Sequence, residues 1–245
     1  MIFIDINCDV GEGFENEAEL FPYISSCNIA CGAHAGSVKI IDKTIALAIE
    51  HNVKIGAHPS YPDKEDFGRK VIAISDEKLA ESIEGQIDLI LDRLSKKKQK
   101  LHHIKPHGAL YNELAKNEKL AIIFVSILKK YDSTYFLYVP YNSVIAEVAI
   151  KNNIKIKYEA FLDRNYNDDL SLVSRVHEKA LIKDEYEAFS HVLRMVKVEK
   201  IRTISGLEKK IKAATFCLHG DTTNAVHLLK KVTDLLKKEQ IFVKK

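Results

Sequence analysis

The chain alternates short apolar runs with segments in which apolar residues recur at helical spacing. The apolar runs predict strands at 2–7, 26–31, 53–57, 102–105, 134–139, 154–161 and 214–218. The helical spacing predicts helices over 38–51, 76–97, 113–130, 141–151, 184–196 and 222–238. Short runs at 200–204 and 241–243 complete the pattern. Strands and helices that alternate without a linker predict one α/β domain over residues 1–245.

Polar side chains cluster where most of these predicted strands end. They are Asn7 with Asp9, Asn28 with His34, His58, Lys105 with His107, Glu159 with Asp163 and Arg164, and His219 with Asp221. A doubly wound sheet gathers its site at one switch point, whereas a barrel collects residues from many strand ends at one mouth. Six contributing strands therefore predict a single (β/α) barrel, seven-stranded or TIM-like. The sequence has neither GxGxxG nor GxxxxGK[ST], so no dinucleotide or P-loop site is expected.

Composition narrows the class of protein further. The 245 residues are 46% hydrophobic and 29% charged, which excludes a disordered chain. The net charge of +3 is the difference between 37 basic residues, of which 31 are lysines and six are arginines, and 34 acidic residues. The lysine runs lack interleaved aromatics, so we expect a solvated surface and no nucleic-acid partner. No segment is apolar enough for a membrane span or a signal peptide. We therefore expect a cytoplasmic protein whose four cysteines are reduced and buried.

The segment 5–13, DINCDVGEG, carries the first candidate chemistry. Because side chains alternate along a strand, Asp5, Asn7 and Asp9 lie on one side of it. Two glycines in this segment permit a tight turn beside Glu12. Two alternatives remain open here. The segment is either an acidic turn that caps the first helix or a carboxylate pair that serves as general base or metal ligand.

Two histidines end predicted strands among small residues. His34 lies in NIACGAHAG and His58 in IGAHP. A lone histidine is often only a hydrogen-bonded structural residue, but small flanking residues are typical of a crowded barrel mouth and favour a functional role. Arg69 follows in FGRK. Because the chain otherwise prefers lysine, this arginine is a candidate for bidentate recognition of an anion.

The segment IKPHGALYN is the most specific of the set. Lys105 and His107, two positions apart, are expected to project together into the mouth, with Pro106 rigidifying the exit from the strand. The alternative for Lys105 is a purely structural buried ion pair.

Two later segments add acids, arginines and a histidine. EAFLDRNY brings Glu159, Asp163 and Arg164, which form either a simple salt bridge or a carboxylate clamp for an anionic substrate. CLHGD brings His219, with Asp221 able to orient it or to cap the next helix.

In these segments the chain resembles the LamB/YcsF family. DINCDVGEGF, NIACGAHAG, IGAHPSYPD with FGRK, IKPHGALYN, EAFLDRNY with LVSR, and CLHGD all match in the family's order from residue 5 to residue 221. The departures are small: Lys70, Cys27, and Asp169-Leu170 where a glycine is common. The resemblance implies a barrel like that of the glycoside hydrolase/deacetylase superfamily. It also implies ATP-dependent opening of 5-oxo-L-proline to L-glutamate, with this chain as the A component of a 5-oxoprolinase that acts together with the B and C subunits.

The resemblance also implies roles for the candidate residues. The expected catalytic residues are Asp9, His34, His58, Lys105 and His107. The residues expected to bind or orient the small anionic lactam are Asn7, Asn28, Arg69, Glu159, Asp163, Arg164, His219 and Asp221. A divalent metal is compatible with this set, with Asp9, His34 and His107 as candidate ligands. ATP is expected as co-substrate, bound on a partner, at an interface or in this barrel.

Two other functions remain open from the sequence. A stand-alone metal-dependent deacetylase or amidase would turn over without ATP. A non-catalytic, ligand-binding regulatory protein of the same complex would bind a small molecule in the barrel, although the density of ionisable residues at strand ends disfavours it.

Overall fold

Seven parallel strands close into a barrel in the computed structural model, which describes residues 1–132, 134–220 and 224–245. The barrel strands are β1 (Ile2–Val10), β2 (Ser26–Ala30), β3 (Lys54–His58), β4 (His103–Ile104), β5 (Phe136–Pro140), β6 (Ile156–Phe161) and β9 (Thr215–Leu218). Outside the barrel lie the short strands β7 (Lys200–Arg202), β8 (Glu208–Lys210) and β10 (Ile241–Val243). The helices are α1 (Glu17–Leu20), α2 (Val38–Glu50), α3 (Asp76–Lys96), α4 (Gly108–Leu114), α5 (Glu118–Leu128), α6 (Val144–Lys151), α7 (Glu185–Val198) and α8 (Ala225–Lys238).

The barrel runs β1-β2-β3-β4-β5-β6-β9 and closes where β9 pairs with β1. On β1, Cys8 is in register with Cys27 of β2 and with Leu218 of β9. Strand β10 adds a parallel pairing to the first residues of β1, and β7 and β8 form a separate antiparallel hairpin. The seven-stranded form of the predicted barrel is confirmed.

The two faces of each barrel strand differ sharply in polarity. On β1, Ile4, Ile6, Cys8 and Val10 point outward into the apolar shell that the helices cover. The alternating residues Asp5, Asn7 and Asp9 point inward and are just as buried. Because side chains alternate with period two, one strand serves an apolar shell and a polar interior at once.

The predicted helix over 113–130 is wrong as a single element. The chain forms α4 and α5 with a break between them, because the side chain of Asn117 caps α5 by accepting a hydrogen bond from Leu120 N. The predicted helix over 222–238 is observed from Ala225 onward, and residues 222 and 223 lie outside the described residues. Within the part of the chain that is described, no helix is both long and apolar enough to cross a bilayer.

The long connection between β6 and α7 folds back on itself beside the barrel mouth. Isolated bridges join Arg164 to Leu181 and Tyr166 to Leu172. The β7–β8 hairpin anchors it, because Thr203 Oγ1 donates to Asp168 at 2.5 Å. This connection supplies one wall of the mouth.

Candidate active site

Asp9, at the carboxyl end of β1, is the hub of a buried polar cluster. Its Oδ1 atom accepts hydrogen bonds from Asn28 Nδ2 at 2.7 Å and from Lys105 Nζ at 2.9 Å. Its Oδ2 atom lies 3.3 Å from His58 Nε2. Burial alone would raise the pKa of Asp9, but the charges of His58 and Lys105 hold that pKa well below its usual value. Asp9 is therefore held as a carboxylate.

Lys105 is only 2% exposed and sits between two carboxylates. Its Nζ atom lies 2.9 Å from Asp9 Oδ1 and 3.2 Å from Glu159 Oε1, and it donates to Cys217 Sγ at 2.9 Å. Burial alone would lower the pKa of Lys105, but the attraction of Asp9 and Glu159 raises that pKa well above its usual value. Lys105 also lines the cavity described below, so it is both part of a buried ion pair and part of the site.

Three histidines from three neighbouring strand ends pack together above Asp9. The rings of His34 and His107 stack with centroids 3.8 Å apart, and His58 meets both rings edge-on. His34 is engaged at both nitrogens, with Nδ1 at 2.9 Å from Ser60 Oγ and Nε2 at 3.3 Å from Glu12 Oε1. Burial, together with the nearby His58, lowers the pKa of His34 to about 3, so this ring is neutral near neutral pH.

The hydrogen bonds of His58 and His107 fix where their protons lie. His58 Nδ1 is 2.6 Å from the carbonyl oxygen of Lys105, and His107 Nε2 is 2.9 Å from that of Phe67. Because a carbonyl oxygen only accepts, both of these nitrogens carry hydrogens. The other two nitrogens, His58 Nε2 and His107 Nδ1, face each other at 2.9 Å. Two lone pairs at that distance repel, so a proton or a metal cation belongs at this point.

Glu12 reaches the same point because the loop that carries it is held rigidly. The carboxylate of Glu17 accepts four backbone N–H groups from residues 11–14, at distances of 2.8 to 3.2 Å. Gly11 and Gly13 adopt positive φ angles of 75° and 95°, which other residues rarely do. The resulting turn places Glu12 Oε1 3.6 Å from His107 Nδ1.

The residues around this point fit a divalent metal ion. Ligand atoms of Asp9, Glu12, His58 and His107 all lie within 4.8 Å of one another. Metal-binding histidines commonly donate their other ring N–H to a backbone carbonyl, as both histidines do here. Zinc–nitrogen bonds of about 2.1 Å place adjacent ligand nitrogens roughly 3 Å apart. This set keeps Asp9 and His107 from the predicted trio but has His58 and Glu12 in place of His34.

His219 and Asp163 form a second histidine–carboxylate pair next to Asp9, since ligand atoms of Asp9, Cys217 and His219 lie within 4.8 Å of one another. His219 Nδ1 lies 3.1 Å from both carboxylate oxygens of Asp163, and the backbone N–H of His219 donates to the same group at 3.2 Å. The ring stacks on Phe161 with centroids 5.2 Å apart. Because a carboxylate accepts, Nδ1 carries the hydrogen in this pair, which leaves Nε2 with a lone pair.

A cavity of about 330 Å³ opens above these groups. Its floor is formed by six of the residues already described: Asp9, Glu12, His58, Lys105, His107 and His219. Arg69 and Arg175 line it from exposed positions at the rim. The Arg69 guanidinium lies 4.8 Å from the centroid of the Phe67 ring. Arg164 is buried and donates to the carbonyl oxygens of Val173 and Ala180, so it holds the wall of the cavity together.

The predicted residues divide into those that line the cavity and those that support them. The lining residues are Asp9, His58, Lys105, His107, Arg69, Arg164 and His219. The supporting residues are Asn7, Asn28, His34, Glu159 and Asp163. Asp221 lies outside the described residues.

Some residues of the site carry no separate prediction from the sequence. For Glu12 the sequence predicts only a tight turn beside it. Its position between two glycines is nevertheless a signal that could have identified it as a site residue. Tyr111 lines the cavity and follows His107 by one helical turn in the same motif. His103 faces the barrel interior, as the alternation of side chains requires for a residue two positions before Lys105.

Comparisons with known proteins agree over almost the whole chain. A model of the LamB/YcsF family matches residues 4–245. An A subunit of 5-oxoprolinase from Campylobacter jejuni subsp. doylei is 41% identical over 246 residues, covering 98% of this chain and 96% of that one. A Bacillus cereus protein of the same name is 39% identical over 249 residues, covering 99% and 98%. The crystal structure of a lactam utilization protein from Thermus thermophilus superposes with a TM-score of 0.92 at 33% identity, covering 99% of each chain.

Proposed function

The chain belongs to the LamB/YcsF family, and from that premise we propose that it is the A component of a 5-oxoprolinase, which opens the lactam ring of 5-oxo-L-proline to L-glutamate. The observation that carries the proposal is the likeness to relatives of that name over 98% of the chain. The cavity adds support, because it joins a cationic rim to a floor of acid–base groups.

The cavity suits a small anionic lactam. At about 330 Å³ it is at the lower end of the size range of ligand pockets, which matches a single five-membered ring with one carboxylate. Arg69 and Arg175 at the rim bind the substrate carboxylate, for which the planar guanidinium group provides two parallel donors. The lactam group then points toward the floor.

The floor supplies groups for ring opening. Opening consumes one water: its hydroxyl adds to the carbonyl carbon, the C–N bond breaks, and the ring nitrogen gains a proton. We assign His219 Nε2 the role of taking a proton from that water and returning it to the nitrogen, while Asp163 holds the ring through Nδ1. Lys105 keeps Asp9 charged and in place beside His58.

A divalent metal ion would be held by Asp9, Glu12, His58 and His107. It would supply Lewis-acid polarisation of a carbonyl or of water at the floor. Asn28 and Lys105 orient the Asp9 carboxylate toward that point, and the carbonyl oxygens of Lys105 and Phe67 orient the two imidazoles.

The net reaction also consumes ATP, whose hydrolysis to ADP and phosphate uses a second water and drives cleavage of a stable lactam. The sequence has no phosphate-binding glycine pattern, so we place ATP binding on its partners, the B and C subunits. There the terminal phosphoryl group of ATP is transferred to the lactam oxygen and ADP leaves. In the cavity of the A component one water adds to the phosphorylated ring carbon and the C–N bond breaks, and a second water hydrolyses the resulting acyl phosphate to glutamate and phosphate.

Reconstitution tests this proposal. The purified chain is mixed with its partners, the B and C subunits, together with 5-oxoproline and ATP, and glutamate is measured. We expect glutamate only when all three proteins and ATP are present. His107→Ala and Asp9→Asn should each lower the rate by about 10²- to 10⁴-fold, whereas His227→Ala, at an exposed histidine of α8, should not. Full activity in the His107→Ala and Asp9→Asn variants would refute the assignment of the site.

The metal-like cluster favours one alternative, a stand-alone metal-dependent amide hydrolase or deacetylase. That function predicts turnover of an amide by the isolated chain without ATP, and loss of turnover in a chelator. The proposed function predicts no turnover by the isolated chain under the same conditions. Assays of the isolated chain with 5-oxoproline and with N-acetylated sugars, with and without added Zn²⁺, separate the two.

A further inference from the structure

A chain of buried hydrogen bonds runs beneath the active site and ends on Asp9. His102 Nδ1 lies 2.9 Å from His103 Nδ1, and His103 Nε2 lies 2.6 Å from Asn28 Oδ1. Asn28 Nδ2 in turn lies 2.7 Å from Asp9 Oδ1. His103 and Asn28 are fully buried and do not line the cavity. Their connection to the site is therefore through Asp9 and its neighbours alone.

The amide of Asn28 has one favourable orientation. Its Nδ2 group donates to Asp9 Oδ1 and also to Asn7 Oδ1, at 2.7 Å in both cases. Asn7 Oδ1 can only accept, because Asn7 Nδ2 already donates to Glu159 and to Thr215. A turned amide would bring Asn28 Oδ1 against two acceptor oxygens, so the amide oxygen must face His103.

This orientation determines the protonation of His103. Since Asn28 Oδ1 only accepts, His103 Nε2 must carry a hydrogen. Burial lowers the pKa of His103 well below its usual value, so the ring is neutral and its Nδ1 atom accepts from His102. Every link therefore points the same way, from His102 through His103 and Asn28 to Asp9.

The packing around His103 is built for this ring. The imidazole stacks on Tyr138 with centroids 4.0 Å apart and planes 10° apart. On the neighbouring strand, a Cβ atom at Gly56 would lie 2.2 Å from His103 Nε2, so only glycine leaves room for the ring. The sequence segment IGAH, which delivers His58 to the mouth, thus also makes space for His103.

We propose that His103 is a positioning residue that locks the Asn28 amide and, through it, the Asp9 carboxylate. The lock directs Asp9 Oδ1 to Asn28 and Lys105 and turns Oδ2 toward His58. Without the N–H of His103, Asn28 Oδ1 becomes a buried acceptor that has lost its donor, and the Asn28 side chain shifts from its place between His103 and Asp9. Asp9 Oδ1 then loses its hydrogen bond from Asn28 Nδ2, and the carboxylate rotates away from the catalytic floor. The kinetic consequence rests on the proposed function, whereas the structural consequence does not.

Three variants test the proposal. His103→Phe keeps an aromatic ring against Tyr138 but has no N–H, whereas His103→Gln restores a donor at a similar reach. Tyr138→Phe is the matched control, because it removes a buried hydroxyl that contacts Ser26 and leaves the stacked ring in place. The readouts are kcat and KM for glutamate formation in the reconstituted complex, and crystal structures of the variants.

The expected result is a kcat about 10- to 100-fold lower in His103→Phe with KM unchanged, as is typical when a residue behind the ligand shell is lost. His103→Gln should recover most of that loss, and Tyr138→Phe should lose none of it. The crystal structure of His103→Phe should have the Asn28 side chain displaced and Asp9 rotated. Equal losses in His103→Phe and His103→Gln, or unchanged Asn28 and Asp9 positions in His103→Phe, would overturn the proposal.

The wild-type chain provides a test that does not depend on the folding of any variant. Long-range ¹H–¹⁵N NMR should find the hydrogen of His103 on Nε2 and none on Nδ1, and the opposite tautomer would overturn the proposal. If the reconstituted wild-type complex forms no glutamate, the proposed function fails. The tautomer and the crystal structures then decide the positioning role by themselves.

Discussion

The inner and outer faces of the barrel strands are equally buried yet are built from different chemistry. Outside, residues such as Ile6 and Phe216 pack against helices in a continuous apolar shell. Inside, Asn7 and Thr215 take part in a network of hydrogen bonds and ion pairs that crosses the barrel. An apolar contact is non-directional, whereas a buried polar group must find a partner of the right type and angle. The outer face therefore supplies stability, and the inner face supplies a defined geometry at the mouth.

The largest expected effect on stability comes from removing the cation inside the barrel. Lys105→Met leaves Asp9 and Glu159 buried without their shared partner, which should lower the free energy of unfolding by about 3 to 5 kcal/mol. Urea denaturation of the variant and of the wild-type chain measures this loss of unfolding free energy. In the double variant Lys105→Met/Glu159→Gln one of the two charges is gone, so part of the stability should return while activity stays lost. No recovery of stability in the double variant would contradict this account of the inner face.

The outer face of the same strand should respond differently. Ile6→Ala removes fully buried apolar contacts and should cost about 2 to 5 kcal/mol of unfolding free energy, with kcat per folded molecule unchanged. Ile122→Ala, at a half-exposed position of α5, is the control and should cost much less. A drop in kcat for folded Ile6→Ala would show that the two faces are not separable in this way.

Two glycines sharpen the comparison further. Gly56→Ala forces a methyl group against His103 inside the barrel and should cost about 1 to 3 kcal/mol, together with a loss of kcat. Gly85→Ala, in the middle of α3, adds a methyl group that meets nothing within 4 Å beyond its own helix backbone and chain neighbours, and it should instead stabilise the chain by about 0.5 to 1 kcal/mol. Thermal and urea unfolding measure the change in unfolding free energy of each variant. Changes of the same sign in the two variants would refute this prediction.

The last effect, a pH dependence from a partly buried histidine outside the barrel, is the smallest at neutral pH and grows only as the solution becomes acidic. Burial lowers the pKa of His191 on α7 to about 4, against about 6.5 in an unfolded chain. Between these values the unfolded chain binds one proton more than the folded chain, so stability falls as pH falls from about 6.5 to 4. His191→Leu should flatten this slope by at most about 1.4 kcal/mol per pH unit.

Urea titrations at several pH values measure the slope for His191→Leu. His227→Leu, at an exposed position of α8, controls for the loss of a histidine as such. A slope unchanged by His191→Leu would mean that this side chain is not the group that titrates.

The sequence predicts which residues lie on the same face of a strand better than it predicts which side chains from different strands come into contact. The alternation on β1 places Asp5, Asn7 and Asp9 on one side, and the structure has them there. The contact between Asn7 and Glu159 joins residues 152 apart, and it depends on the stagger of the closed barrel. Nothing in a single sequence encodes that stagger directly.

Loop conformation sets the second limit. His34 and His58 both follow a strand among small residues, yet only His58 directs a nitrogen at Asp9, because His34 is engaged by Ser60 and Glu12. Glu12 enters the site because Glu17 gathers the N–H groups of the turn around it. That arrangement is a property of the folded loop. The break between α4 and α5 is likewise decided by the single cap at Asn117.

The pairing of β1 with β9 bears on how the barrel is made in the cell. Strand β1 cannot pair with β9 until β9, which lies roughly 200 residues later along the chain, has been synthesised. Ribosomes add about 5 to 20 residues per second, so one edge of β1 stays unpaired for roughly 10 to 40 seconds during synthesis. An unpaired edge is a template for pairing with other chains. Charged side chains on an edge strand disfavour such pairing, so Asp5 and Asp9, which point into the finished barrel, would also disfavour association of β1 with other chains before the barrel closes.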